Sequence, residues 1–143
     1  FRSGLVSAGT EVTVLRPDEA PDVLPSDTRL LLAGAPTHNL SLPTASSRQK
    51  AVDLGSDAIG RGLADWLAAL QPRPDLDVRT FETVVAGPFS GSAAKSAAKL
   101  LKRLGFAAAK RGESFVVTAT KGPLRDGEAD RALAWGARLA ASR

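Results

Sequence analysis

The sequence predicts an α/β domain with a mostly parallel sheet and helices on both faces. Two observations carry this expectation. Segments of strand character alternate with segments of helix character along nearly the whole chain, as crossover-connected parallel strands require. The run Leu30-Leu31-Leu32-Ala33 is apolar at consecutive positions, so it has no polar face to give to water and needs cover on both sides. Composition agrees: 43% of the 143 residues are hydrophobic and 24% charged, the balance of a single soluble globular domain.

Phe1–Gly9 reads as the last turns of a helix, with Gly9 where a helix C-terminal glycine belongs. Thr10–Leu15 alternates, Val12 and Val14 against Thr13 and Leu15, and predicts a first strand; Pro21 and Pro25 mark the loop behind it. Thr28–Ala33 predicts a second strand that exits at Gly34-Ala35-Pro36. Over Ser46–Leu70 the spacing of Ile59, Leu63, Trp66, Leu67 and Leu70 places an apolar stripe on one helix face, which Pro72 and Pro74 stop. Asp77–Val85, with its β-branched run Thr83-Val84-Val85, predicts a third strand.

Ser92–Leu104 predicts a strong helix. Its stripe is Ala93, Ala97, Leu100, Leu101 and Leu104; Ser90 or Ser92 caps its start and Gly105 closes it. A fourth strand is expected over Ser114–Thr118. Lys121-Gly122-Pro123 then breaks the chain. A last helix runs over Glu128–Ala141, with Ala132, Trp135, Gly136, Leu139 and Ala140 able to face the sheet.

Several function classes fall away on composition. No stretch of about 18 apolar residues exists, and nothing resembles a signal peptide, so a cytoplasmic protein without a membrane partner is expected. The absence of cysteine excludes disulfides, thiolate metal sites and cysteine nucleophiles, and one histidine, His38, excludes a multi-histidine site within one chain. The net charge is +4, with thirteen of the nineteen cations Arg, and the charges are spread, so no nucleic-acid partner is expected. Lys95, Lys99 and Lys102 recur at helical spacing with Arg103 beside them; they read either as a solvated face or as a dock for an acidic partner. A chain that opens with Phe1 instead of Met is expected to be processed, trimmed or incomplete.

Catalytic constellations are scarce. There is no Gly-x-Ser-x-Gly elbow, no phosphate loop ending in Gly-Lys-Ser/Thr and no Gly-x-Gly-x-x-Gly. What remains are loops at the carboxyl ends of the expected strands, where open α/β sheets bind ligands. The first contains Pro36, Thr37, His38 and Asn39, a hydroxyl, an imidazole and an amide beside a glycine. On spacing alone, Thr37 and Asn39 read first as residues that satisfy a turn's own backbone. The second runs from Phe81, Glu82 and Thr83 to Gly91 and Ser92. It offers small polar groups and a helix start with free N–H donors, while Phe81 and Phe89 read by themselves as core.

Taken in order, these segments resemble the flavodoxin-like family, in particular its single-domain bacterial branch. The most specific part is Leu30–His38, similar to a strand followed by Gly-x-Pro-Thr-His. Gly62–Leu67, Phe81-Glu82-Thr83, Gly91–Lys95, Leu104-Gly105-Phe106, Glu113–Val117 and Lys121–Glu128 follow in sequence. The resemblance implies a three-layer sandwich with sheet order 2-1-3-4-5 and FMN at the switch point between strands 1 and 3. Pro36, Thr37, His38 and Asn39 would flank the isoalloxazine on one side, and the loop from Phe81, Glu82 and Thr83 to Gly91 and Ser92 on the other. The implied function is electron transfer or oxidoreduction, with another redox protein as donor or acceptor. The family's first strand and its phosphate-binding loop would precede Phe1. A flavodoxin-fold interaction or regulatory module without flavin is the alternative.

Overall fold

The computed structural model describes residues 1–37, 45–53, 60–87, 91–120 and 122–142. Among them, β1 (Leu30–Pro36), β2 (Asp77–Val85) and β3 (Lys110–Val117) form a parallel sheet in the order β1-β2-β3. The helices are α1 (Arg2–Ser7), α2 (Ala45–Asp53), α3 (Leu63–Ala69), α4 (Ala93–Arg103) and α5 (Glu128–Ala141).

Alternation along the strands divides the apolar side chains between two cores. Ala33 and Val78 point to one face, where they meet Leu63, Trp66 and Leu67 of α3 and Ala97 and Leu101 of α4. Leu30, Leu32, Phe81 and Phe115 point to the other, against Leu5 of α1 and Trp135 and Leu139 of α5. The result is three layers, helices over and under a parallel sheet, as the doubly apolar β1 requires. On the α5 face the Phe81 ring lies 4.8 Å from Phe1 and 5.9 Å from Trp135, in tilted and edge-on arrangements that aromatic pairs favour.

β1 and β2 pair without interruption, Leu30 opposite Asp77 through Pro36 opposite Thr83. β2 and β3 do not. Thr80 lies opposite Arg111 but Glu82 lies opposite Ser114, so β3 carries one extra residue across Gly112 and Glu113. An unbroken register would set Glu113 opposite Glu82, two like charges on one face. The bulge removes that conflict: Ser114 turns to Glu82, and Glu113 instead pairs with Arg131 and Arg138 of α5.

Three expectations need correction. Thr10–Leu15 is no strand: it makes no ladder with any described residue, and Val14 and Leu15 are exposed. Alternation marks a segment able to pair, but a strand exists only where a neighbouring strand accepts its hydrogen bonds. Ser46–Leu70 is not one helix. It contains α2 and α3, and α3 begins afresh at Gly62, whose extended backbone is held by its amide donating to the Asp65 carboxylate at 3.0 Å. Ile59 lies outside the described residues. The last strand starts at Lys110, not Ser114, because the bulge lets the polar stretch before Ser114 pair with β2.

α1 crosses α5 at two glycines. A Cβ on Gly4 would strike the Leu133 carbonyl oxygen, and one on Gly136 the carbonyl oxygen of Phe1. Both obstacles are backbone, so neither can swing aside. Gly136→Ala is therefore expected to lower stability by about 1–3 kcal/mol, although alanine gains roughly 1 kcal/mol of helix propensity over glycine. A drop in the urea midpoint at unchanged slope is the measurement that checks it.

Candidate functional site

The carboxyl ends of β1 and β2 converge on the start of α4. Glu82 sits at the centre of this meeting point and is 1% exposed. A carboxylate so deeply buried persists only among donors. Its Oε2 accepts from the Thr37 hydroxyl at 2.7 Å and from the Ala94 amide at 3.0 Å. Its Oε1 accepts from Ser114 at 2.6 Å, from Ser92 at 2.8 Å and from the Arg111 guanidinium at 3.4 Å. Those donors come from the loop after β1, from the first turn of α4 and from β3.

Burial pushes the Glu82 pKa up, but the hydrogen bonds from Ser114, Thr37, the Ala94 amide and Ser92 outweigh it and hold the carboxyl below its ordinary 4.5. Glu82 therefore stays ionised and serves as a built-in anion at the positive end of α4.

The same arrangement corrects the expectation of free donors at this helix start. The Ala93 amide donates to Thr37 Oγ1 at 3.1 Å, the Ala94 amide to Glu82, and the Lys95 amide to Ser92 Oγ at 3.0 Å. Three side-chain oxygens of the protein occupy the groups that would otherwise cradle a phosphate.

The sequence-derived site residues thus take separate places. Thr37, Glu82 and Ser92 form one connected cluster. The Thr37 amide also donates to the Thr83 carbonyl at 2.9 Å, and Pro36 stands opposite Thr83 in the ladder. Gly91 lines an open cleft of about 420 Å³ with Ser92, Lys95, Arg111, Ser114 and Glu82. Phe81 points away, into the core against α5. It cannot do otherwise, since successive strand residues face opposite sides and Glu82 holds the α4 side. His38 and Asn39 lie outside the described residues, as do Phe89 and Ser90.

Ser114 and Arg111 belong to the cluster and were not foreseen. A signal was available: an acidic residue in the middle of a β-branched strand needs buried donors, and Ser114 is a hydroxyl at the head of the apolar run Phe115-Val116-Val117 of the neighbouring strand. A second buried acid, Glu128 in the first turn of α5, accepts from the Val116 amide at 3.1 Å and from Arg131 at 2.6 Å, and so ties α5 to β3.

Among the described residues no group of three or more His, Asp or Glu side chains is placed to hold a metal ion, and no helix is long and apolar enough to cross a membrane. The class that emerges is a three-layer α/β domain whose polar cluster lies at the carboxyl edge of a parallel sheet. Comparison with protein-family models, with curated proteins and with solved structures finds no match to this chain.

Because its folded pKa is depressed, Glu82 adds stability that is complete above its ordinary 4.5 and disappears as pH falls through the lower folded value. Glu82→Gln is expected to cost about 1.5–3 kcal/mol at neutral pH, the value of hydrogen bonds to a charged group. The difference from wild type should close in acid, where the wild-type carboxyl is protonated too. Urea unfolding of both proteins across pH reads this directly; a difference that persists unchanged in acid would mean the carboxylate is not the ionised form.

Proposed function

We propose that the protein is a flavodoxin-like electron-transfer protein that binds FMN and exchanges electrons with another redox protein in the cytoplasm. The observation that carries this reading is the meeting of the loops after β1 and β2 across Glu82. Ligands of doubly wound sheets lie outside the carboxyl ends of the strands, where the helices change face. Here α3 and α4, between the strands, pack on one face, and α1 and α5, before β1 and after β3, pack on the other. The helices change face twice along the chain, from α1 to α3 across β1 and from α4 to α5 across β3, and the first change lies at the strand that ends beside Thr37.

The start of α4 offers no free donor for a flavin phosphate. The α4 amides already bond to Thr37, Glu82 and Ser92, so a phosphate would need donors from elsewhere in the protein. Bound FMN would supply the one-electron chemistry. Thr37, Glu82 and Ser92 hold the two flanking loops in position instead of touching the ring, because each hydroxyl already donates to Glu82 and accepts from an α4 amide. The family resemblance would put Pro36 and Thr37 on one side of the ring and Gly91 and Ser92 on the other.

A second reading, a flavin-free interaction module of the same fold, is favoured by that same internal use of every α4 donor. FMN titration separates the two. Under the flavin reading the purified protein quenches FMN fluorescence, and Thr37→Val, which frees the loop after β1, weakens binding about tenfold, as loss of one hydrogen bond to a charged group implies. Unquenched FMN would leave the interaction module.

A further inference from the structure

The outer surface of α4 carries positive charge that no described carboxylate pairs. Four of its residues are exposed, Lys95, Lys99, Lys102 and Arg103, and all four are cations. The helix contains no acidic residue. None of the four forms an ion pair with a described residue, whereas arginines on the other surfaces, among them Arg61, Arg131 and Arg138, are paired with carboxylates. Like charges at helical spacing repel and disfavour the helix. Lys102 and Arg103 complement the carboxyl end of the helix dipole in the last turn, but Lys95 and Lys99 bring no such advantage to the isolated fold.

The stripe has a second part on β3. Arg111 is exposed there, and it lines the same open cleft as Lys95, with Ser92 and Ser114. Lys95 to Lys102 spans about 10 Å at 1.5 Å per residue. With the cleft at one end, this makes a track of cations that leads to a recess containing hydroxyls.

We propose that this track is the docking surface for an acidic protein partner. Carboxylates of the partner lie along Lys95, Lys99 and Lys102, and one of them enters the cleft between Lys95 and Arg111. Three lysines and a partly shielded arginine suit carboxylates on a helix or strand of a protein. Nucleic acid is disfavoured, because no aromatic ring among the described residues is exposed for base stacking, and because Glu82 borders the cleft. The cleft end of the track borders Gly91 and Ser92, whereas Lys99, Lys102 and Arg103 lie farther along α4, away from the loop after β1.

The test uses fluorescence anisotropy of a short labelled poly-glutamate peptide. Poly-glutamine of the same length and an oligodeoxythymidine of the same charge serve as competitors. The double variant Lys95→Glu/Lys99→Glu is compared with Arg2→Glu/Arg29→Glu, which changes the net charge equally at exposed sites elsewhere. Circular dichroism confirms that each variant is folded. The expected result is peptide binding that weakens with salt and falls about tenfold more in the lysine variant than in the control, the size of two or more exposed ion pairs reversed. Equal losses in both variants would reduce the effect to net charge and overturn the proposal. So would an absence of peptide binding at low ionic strength, or tighter binding of the oligodeoxythymidine through the same lysines.

Discussion

A carboxylate buried against a sheet face constrains everything around it, and Glu82 imposes that constraint here. Its two oxygens need several donors, and no single element of the chain provides them. The loop after β1 contributes Thr37, α4 contributes Ser92 and the Ala94 amide, and β3 contributes Ser114 and Arg111. The first turn of a helix is the natural place for such a charge, because its amides point outward and its dipole favours an anion. Glu82 thereby fixes where α4 begins, how the loop leaves β1 and which register β3 takes.

The bulge in β3 follows from the same demand. A regular ladder would have set a second glutamate beside the first. One additional residue in β3 presents a hydroxyl to Glu82 and sends Glu113 to the opposite face, where Arg131 and Arg138 receive it. Two buried acids, Glu82 on one face and Glu128 on the other, then anchor α4 and α5 to the sheet by hydrogen bonds while the two apolar cores supply the area. The α1–α5 contact is of another kind. It depends on the absence of side chains at Gly4 and Gly136, which lets two helix backbones approach closely.

Legibility in the sequence differed with the range of the interaction. Helix stripes and caps are local, so Ser92 as the cap of α4 and the apolar positions Ala93, Ala97 and Leu101 were readable from spacing. Thr37 and Ser92 were recognisable as polar groups at strand ends. What they do was not, since each bonds to a carboxylate placed by another strand. The expected free amides of α4 illustrate the point. A helix start has unsatisfied donors as a matter of local geometry, but two of the three groups that fill them here lie 12 and 56 residues away in the chain. Thr10–Leu15 shows the converse: correct local alternation with no neighbour to pair with.

The sequence by itself determined the alternation of elements, the layered class and the apolar faces, because each follows from periodicity over a few residues and from the double-sided hydrophobicity of Leu30–Ala33. It also determined the unbroken cationic face of α4, since Lys95, Lys99 and Lys102 recur at helical spacing. Only the tertiary structure decided the β-bulge, the division of Phe81 and Glu82 between opposite faces with their particular partners, and the use of the α4 amides by internal oxygens. Those outcomes depend on which distant groups meet in a buried space of low dielectric, where an ion without donors is too costly to keep. That is a property of the packed arrangement and not of any window of sequence.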